Sequence, residues 1–385
     1  MPIFNNQVAP KLPNVKTSIF TTMSKLAAEQ NAINLSQGFP NFEPDPLLLK
    51  LVTDAMQDGY NQYAPMAGIF SLREAISRKN EALYGVNYHP ETEITVTVGA
   101  TQAIFTIITT FIGAGDEVIV FKPAYDCYEP AIEINGGVPV YVSLKGQGFK
   151  VDWDHFRSKI TDKTKMVIIN TPHNPSGTIL SQDDLLQLQE SLRNTDVIVI
   201  SDEVYEHIIF DGQQHESVAR YPDLAARSFI CASFGKTFHT TGWKMGYCIA
   251  PKVLMKEFQK THEFNVFCAN HPMQRALAHY LSVPQHYLSL NGFYQEKRDL
   301  FLSQLQESRF KIIPCQGTYF QLLDYSEITD EHDVDFAKRL VMNHGLASIP
   351  ISVFTVDQKD DKLLRFCFAK TTETLEKAAA ILRNI

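Results

Sequence analysis

Seven short β-branched runs, separated by longer stretches with helical spacing, constrain this chain more than any other feature. The runs are Ile94–Val98, Glu117–Phe121, Val138–Val142, Met166–Asn170, Val197–Ser201, Ser228–Ala232 and Tyr247–Ala250. Each is followed within three residues by Gly, Pro, Asp or Ser, and helix-like stretches such as Ala103–Phe111 and Gln182–Leu192 lie between them. Strands alternating with helices imply βαβ units, and runs apolar on both faces imply a mostly parallel sheet buried on both sides. The expected fold is therefore α/β, with a large domain over residues 45–280 built on a seven-stranded, mostly parallel sheet sandwiched by helices. Beyond residue 280 the pattern changes. Phe293–Gln306 is amphipathic, Gly317–Leu323 is a strand run after a glycine turn, and Asp333–Gly345 is a helix with Gly345 as its cap. Leu363–Phe368 is a strand and Thr372–Arg383 a closing helix. This predicts a smaller α+β domain over residues 281–385. Residues 1–44, with Pro10 and Pro13, are expected to form an N-terminal arm and part of that small domain.

A chain of 385 residues can bury about three quarters of its unfolded surface and needs no metal or disulfide to fold. Its 43 acidic and 35 basic residues leave a net charge of −8, which argues against nucleic acid as a partner. The six cysteines form no CxxC pair, so no zinc site is expected, and free thiols suit a reducing compartment. The opening residues lack a signal-peptide apolar core. No apolar run approaches the length of a membrane span. A cytoplasmic location is expected. Dinucleotide (GxGxxG), zincin (HExxH), EF-hand and nucleophile-elbow (GxSxG) motifs are absent. One near miss, Ile230–Thr237, would be a phosphate-binding P-loop except that Ile230 stands where a glycine is needed.

Four polar segments at strand ends carry the chemistry. They are Val98-Gly-Ala-Thr-Gln102, Asn170-Thr-Pro-His-Asn-Pro-Ser-Gly177, Ser201-Asp-Glu-Val-Tyr205 and Ser233-Phe-Gly-Lys-Thr-Phe-His-Thr-Thr-Gly-Trp-Lys-Met-Gly246. In this order they resemble the pyridoxal-phosphate-dependent aminotransferases of fold type I, and Gln37–Pro40 and Leu364–Phe366 resemble that family's substrate-carboxylate segments. The likeness runs over nearly the whole chain. Within the family it is nearest the kynurenine/glutamine transaminases, the bacterial methionine aminotransferases in particular.

The resemblance implies a role for each residue. Pyridoxal 5′-phosphate is an electron sink for a carbanion at the substrate's α-carbon. Lys236 would hold it through an imine and move protons, as desolvated lysines can. Asp202 would pair with the ring nitrogen and keep it protonated. Tyr205 and Asn174 would hydrogen-bond the ring's 3′-oxygen, with Asn170 helping to hold ring or substrate. Ala100 and Thr101, opening a helix, would bind the phosphate together with Ser233 and Lys244. Lys244 stands where many relatives have arginine, a difference shared by the subgroup. Tyr125 would stack on the ring. Arg365 would grip the substrate carboxylate through two parallel hydrogen bonds, with Gly38 beside it.

Read singly, these residues admit plainer readings. Lys236 could be a surface lysine, Asp202 a helix N-cap, Tyr205 core and Tyr125 a loop aromatic. Asn174 could be a turn residue, Ser233 a strand-end serine and Arg365 half of an internal salt bridge. No second arginine marks a pocket for a distal carboxylate. The aromatics Phe20, Phe39, Tyr63 and Phe267 suit an apolar pocket, though each could be core packing. The resemblance places Tyr63 at the phosphate and Tyr63 and Phe267 on a partner subunit, so a homodimer with shared active sites is expected. The implied activity is ping-pong transamination between a 2-oxo acid and an apolar, aromatic or sulfur-containing amino acid (methionine, phenylalanine, tyrosine or histidine). The alternatives are a carbon–sulfur β-lyase and, more remotely, a non-catalytic cofactor-binding module. No metal is implied.

Overall fold

The computed structural model describes residues 8–385; the first seven residues of the expected arm lie outside it. Seven strands form the central sheet: β1 Ile94–Thr97, β2 Glu117–Lys122, β3 Val138–Ser143, β4 Thr164–Asn170, β5 Ile198–Asp202, β6 Ser228–Ser233 and β7 Gly246–Ile249. Their spatial order is β1-β7-β6-β5-β4-β2-β3. All pairs are parallel except those of β7, which runs against both β1 and β6.

Successive side chains along a strand point to opposite faces, and here both faces are apolar. Ile119, Val167, Ile169, Val199 and Ile230 enter one core, while Val118, Val120, Met166, Ile168, Ile200 and Phe229 enter another. Covered faces leave backbone polar groups only the neighbouring strands as partners, so the ladder must be complete. Among the covering helices are Pro46–Gln57 and Phe70–Tyr84 on one side and Gly99–Phe111 on the other. The first two precede every strand of the central sheet. Among the described residues, no helix is long and apolar enough to cross a membrane.

A third core gathers Phe301, Phe336, Leu340, Leu364, Phe366, Leu375 and Leu382 from the C-terminal region around a four-stranded antiparallel sheet. Its strands include Phe320–Asp324 and Leu363–Cys367, so the first begins three residues later than the turn pattern suggested. Helix Ile19–Glu29 joins this core through Met23 and Ala27. Its apolar residues at 19, 20, 23, 26 and 27 follow helical spacing, and the Ser18 hydroxyl caps it by accepting from the Thr21 N–H at 3.2 Å. Among the described residues before that helix no regular element forms, and a turn at residues 13–14 is closed by the Val15 N–H donating to the Leu12 carbonyl at 3.3 Å. Tyr205, Ile208 and Phe210, just past the end of β5, also belong to the third core. The turn after β5 therefore sits between the main sheet and the C-terminal layer.

Candidate active site

In a mostly parallel sheet, ligands collect where the strand carboxyl ends open into loops. Here β1 leads into Gly99–Thr101, β2 into Tyr125, β4 into Asn174, β5 into Tyr205 and β6 into Lys236. Strand β7 runs the other way, so its start lies at the same edge: Gly246 pairs with both Ser233 and Thr97. Lys244 is thereby delivered from the residues before a strand rather than after one. Gly246 is required by this packing, since a Cβ there would meet the Ala232 oxygen at 2.7 Å and the Ala100 nitrogen at 3.0 Å.

These ends surround a cleft of about 360 Å³, a size typical of small-molecule sites. Phe20, Gly38, Ala100, Thr101, Tyr125, Asn170, Asn174, Asp202, Tyr205, Ser233, Lys236, Lys244 and Arg365 all line it. Of the expected site residues only Tyr63 and Phe267 do not. They pack on each other away from the cleft, ring centroids 4.9 Å apart, and Tyr63 is 80% exposed.

Lys236 lies in the short helix Phe234–Thr237, half-buried, with its Nζ donating to the Gly38 carbonyl at 3.0 Å. The rings of Tyr205 and Tyr319 flank it at 5.7 and 5.5 Å. Burial lowers its pKa to about 8, so it is not the fully solvated surface lysine of the plainer reading. Asp202 ends β5 and no helix follows, which excludes an N-cap role. Its carboxylate is 4% exposed and has no cation within ion-pair distance among the described residues. It accepts from the Tyr128 hydroxyl at 2.6 Å and the Val204 N–H at 3.3 Å. Burial pushes its pKa up to about 6, against the pull of those two hydrogen bonds.

Arg365 is 1% exposed in the middle of its strand. Its Nη1 donates to Asn174 Oδ1 at 2.6 Å and its Nη2 to the Ser36 carbonyl at 3.0 Å, while its Nε has no partner. No carboxylate lies within 4.0 Å of it among the described residues, so the internal salt bridge is absent. A buried guanidinium with an unused N–H calls for an anion from outside the protein. Asn170 is occupied on both sides, its Nδ2 donating to the Asp202 carbonyl at 2.9 Å and its Oδ1 accepting from the Asn174 N–H at 2.8 Å. It thus ties the β4 and β5 ends together. At the far end, helix Gly99–Phe111 starts with no side-chain cap, leaving its first N–H groups facing the cleft beside Ser233 and Lys244. Ile230 lies inside β6, which excludes the P-loop reading.

The chain matches the profile of the family described as aminotransferase class I and II over residues 30–382. The chain belongs to the class I and II aminotransferases. Among its curated relatives, the methionine aminotransferase of Escherichia coli (strain K12) is 48% identical over 384 residues, covering 99% of this chain and all of that one. Kynurenine–oxoglutarate transaminase 1 of Rattus norvegicus is 33% identical, covering 98% of this chain and 97% of the relative. An Escherichia coli crystal structure reported to identify a methionine aminotransferase function superposes with a TM-score of 0.95 at 47% identity over the full length of both chains. This aminotransferase therefore has the fold type I architecture expected of it.

Three contributors to the site escaped the sequence reading. Tyr128 binds Asp202 across 74 residues of chain. Tyr319, inside the quoted Gly317–Leu323 run, donates its hydroxyl to the Gly38 carbonyl at 2.6 Å. Phe320 lies with its ring centroid 3.9 Å from the Arg365 guanidinium carbon. No local signal marks any of them, because each acts on a residue far away in sequence.

Proposed function

We propose that this aminotransferase binds pyridoxal 5′-phosphate in the cleft and transfers the amino group of an apolar or sulfur-containing L-amino acid, methionine foremost, to a 2-oxo acid. Phenylalanine, tyrosine and histidine fall within the same donor class. The observation that carries the reading is the convergence, in one cleft, of a lysine with lowered pKa, a buried unpaired carboxylate and a buried arginine lacking an anion. The donor set fits the cofactor group by group. Asp202 has room for a cationic ring N–H, and the free helix start with Ser233 and Lys244 suits a phosphate. Tyr125 supplies an aromatic face, and Asn174 keeps its amide hydrogens for a ring oxygen.

When bound, pyridoxal phosphate supplies a carbonyl for amine exchange and a sink for the electron pair left at the α-carbon. The protein's residues do the rest. Arg365 orients the substrate through its carboxylate, aided by the backbone at Gly38. Lys236, partly neutral at working pH once its amine is released, would accept the proton from the substrate's α-carbon and deliver it to the carbon that had been the cofactor's carbonyl carbon. Asp202 stabilises positive charge on the ring. Tyr205 is held neutral by burial, with Arg365 pulling the other way, and so acts as a donor.

The cations lining the cleft are Lys236, Lys244 and Arg365. Each has a role above, and none is left over for a side-chain carboxylate. The remaining wall contains Phe20, Phe39, Val204 and Phe320, which suits a thioether or an aromatic ring. The similarity to a methionine aminotransferase supports the same choice. Tyr63 and Phe267, exposed and paired away from their own cleft, support a homodimer in which they complete the partner's site.

A donor panel at one fixed 2-oxo acid, read as kcat/KM, tests the reading. Methionine should exceed aspartate by at least two orders of magnitude. Equal rates with aspartate, or stoichiometric pyruvate and ammonia from cystathionine in place of transfer, would overturn it.

A further inference from the structure

We propose that Tyr128 is a positioning residue that keeps the Asp202 carboxylate ionised and aimed at the cofactor ring. The inference rests on the reading of Asp202 as partner of the ring nitrogen. Tyr128 is the first residue of helix Tyr128–Ile134 and is 2% exposed. Its ring meets that of Tyr125 edge-on, centroids 5.9 Å apart, so one loop supplies both the ring-stacking candidate and the hydroxyl behind it. The 2.6 Å hydrogen bond to Asp202 Oδ2 is the shorter of the two the carboxylate accepts.

Beyond the longer bond from the Val204 N–H, the surroundings offer the carboxylate little to replace Tyr128. From the turn directly after β5, Glu203 adds like charge that disfavours the ionised carboxyl. Cys231, paired with Asp202 across β6, and Cys127, just before Tyr128, have thiols pushed well above their ordinary range by burial, so both are neutral. Tyr125 and Tyr205 are likewise neutral phenols. Lys236 is a facing group whose positive charge favours the carboxylate, and the proposed function commits it to the reaction. The Tyr128 phenol is itself raised by burial and by the Asp202 charge. It therefore remains a hydrogen-bond donor across the working pH range, and a permanent donor stabilises the charged form of its acceptor.

The ring nitrogen and Asp202 share one proton. With Tyr128 in place that proton belongs on the ring; without it the proton moves toward the carboxylate and the ring becomes neutral. Hydrogen bonds to charged groups correspond to roughly 10- to 100-fold in an equilibrium, and the proton's distribution should shift by that factor.

The test is Tyr128→Phe, which removes one oxygen and keeps the ring. Holoenzyme is prepared with pyridoxal phosphate labelled with ¹⁵N at the ring nitrogen, and the ¹⁵N chemical shift is measured by solid-state NMR in wild type, Tyr128→Phe, Asp202→Asn and the double variant. The expected result is a protonated-ring shift in wild type, movement toward the neutral-ring value in Tyr128→Phe, and a 10- to 100-fold fall in kcat. In the Asp202→Asn background, loss of the phenol oxygen should change neither quantity further. A Tyr128→Phe spectrum identical to wild type, with Asp202→Asn displaced, overturns the role of Tyr128 alone. If Asp202→Asn also leaves the spectrum unmoved, the reading of Asp202 falls with it. A cofactor analogue with carbon in place of the ring nitrogen adds a second arm. With that analogue Tyr128→Phe should bind as wild type does, whereas a general structural defect would weaken both cofactors equally.

Discussion

Replacing Lys79 by methionine should destabilise the folded protein at neutral pH and leave it almost unaffected in acid. Lys79 and Glu206 form an ion pair on the far side of the turn that carries Asp202 and Tyr205, with side chains 2% and 6% exposed. The Tyr84 hydroxyl donates to the other Glu206 oxygen at 2.6 Å, and Lys79 also donates to the Tyr247 hydroxyl at 2.7 Å. Removing one partner of a buried pair costs about 3–5 kcal/mol, because the remaining charge is stranded. The lower figure applies here. His207 Nε2 stands 3.6 Å from Glu206, and with Lys79 gone the repulsion that helps keep that imidazole neutral disappears. The sign of the pH dependence follows from Glu206. Burial raises its pKa, but the charges of Lys79 and His207, with the hydrogen bonds from Lys79 and Tyr84, outweigh burial and hold it well below the ordinary carboxylate range. In wild type this group therefore contributes stability above its unfolded pKa of about 4.3, lost as pH falls further. Without Lys79 burial prevails and the folded pKa lies above the unfolded one. The contribution is then present only in acid and is lost as pH rises. For 385 residues unfolding cooperatively, about 3 kcal/mol corresponds to roughly 4 °C in melting temperature. Thermal unfolding should therefore show a deficit of about 4 °C at pH 7.5, shrinking toward zero near pH 4.5. Adding Glu206→Gln, which removes the stranded charge, should restore at least half of it. A deficit independent of pH, or a double variant no more stable than the single, would refute the reasoning.

Three further outcomes follow from the site and its supports. Arg365→Lys keeps the charge but not the fork, so kcat/KM should fall roughly 100-fold for every donor, mainly through KM, with the cofactor's visible spectrum unchanged; a loss below threefold would remove Arg365 from carboxylate binding. Capture of pyridoxal phosphate by the apoprotein needs a neutral amine at Lys236, whose pKa is lowered by burial to about 8. The rate should rise with pH and level off above 8, and at pH 7 the neutral fraction is roughly 300 times that of an ordinary lysine; a rate still climbing beyond pH 10 would contradict this. Ser181→Ala removes one half of a capping box in which Ser181 Oγ accepts from the Asp184 N–H at 3.2 Å. It should cost about 1 kcal/mol of stability with kcat and KM unchanged, and an altered kcat would show that this helix start communicates with the cleft.

Most of the cofactor-side residues that the sequence made legible sit within a few positions of a strand end, whereas Arg365, in the middle of its strand, stands out as a charge inside an apolar run. Asp202, Lys236 and Asn174 follow apolar runs whose ends are plain in the sequence, and a mostly parallel sheet sends those ends to one edge. Helix Ile19–Glu29 was missed because its neighbours Pro10 and Pro13 dominated the reading of the N-terminal segment. Tyr128 and Tyr319 were missed for a different reason. A phenol's partner is set by tertiary packing, and neither Asp202 nor the Gly38 carbonyl lies within reach along the chain. The Lys79–Glu206 pair is equally silent, since 127 residues separate its members and a lone Lys on an amphipathic helix reads as a solvated charge.

The spacing of the two cleft lysines has a structural cause that fold class alone does not supply. Had β7 been parallel to β6, the chain would have had to cross the sheet before starting it, and Lys244 would have been left at the opposite edge. Because β7 is antiparallel, residues 234–245 form a connection that begins and ends at the cleft, with Ser233 paired to Gly246. Lys236 emerges on its first turn and Lys244 at its last, where Lys244 adopts a left-handed conformation with φ 56°. The connection is also braced internally: a Cβ on Gly235 would approach the Thr241 Cα to 3.0 Å, so the two arms of the loop are in contact. One antiparallel strand thus sets the separation between Lys236, the amine proposed for the chemistry, and Lys244, the cation proposed for the phosphate. The same strand carries Tyr247, whose hydroxyl reaches the Lys79–Glu206 pair behind the Asp202 turn. Both ends of the bound cofactor would therefore be referenced to a single element, and a shift of β7 against β6 would disturb the phosphate contact and the support of the ring-binding turn together.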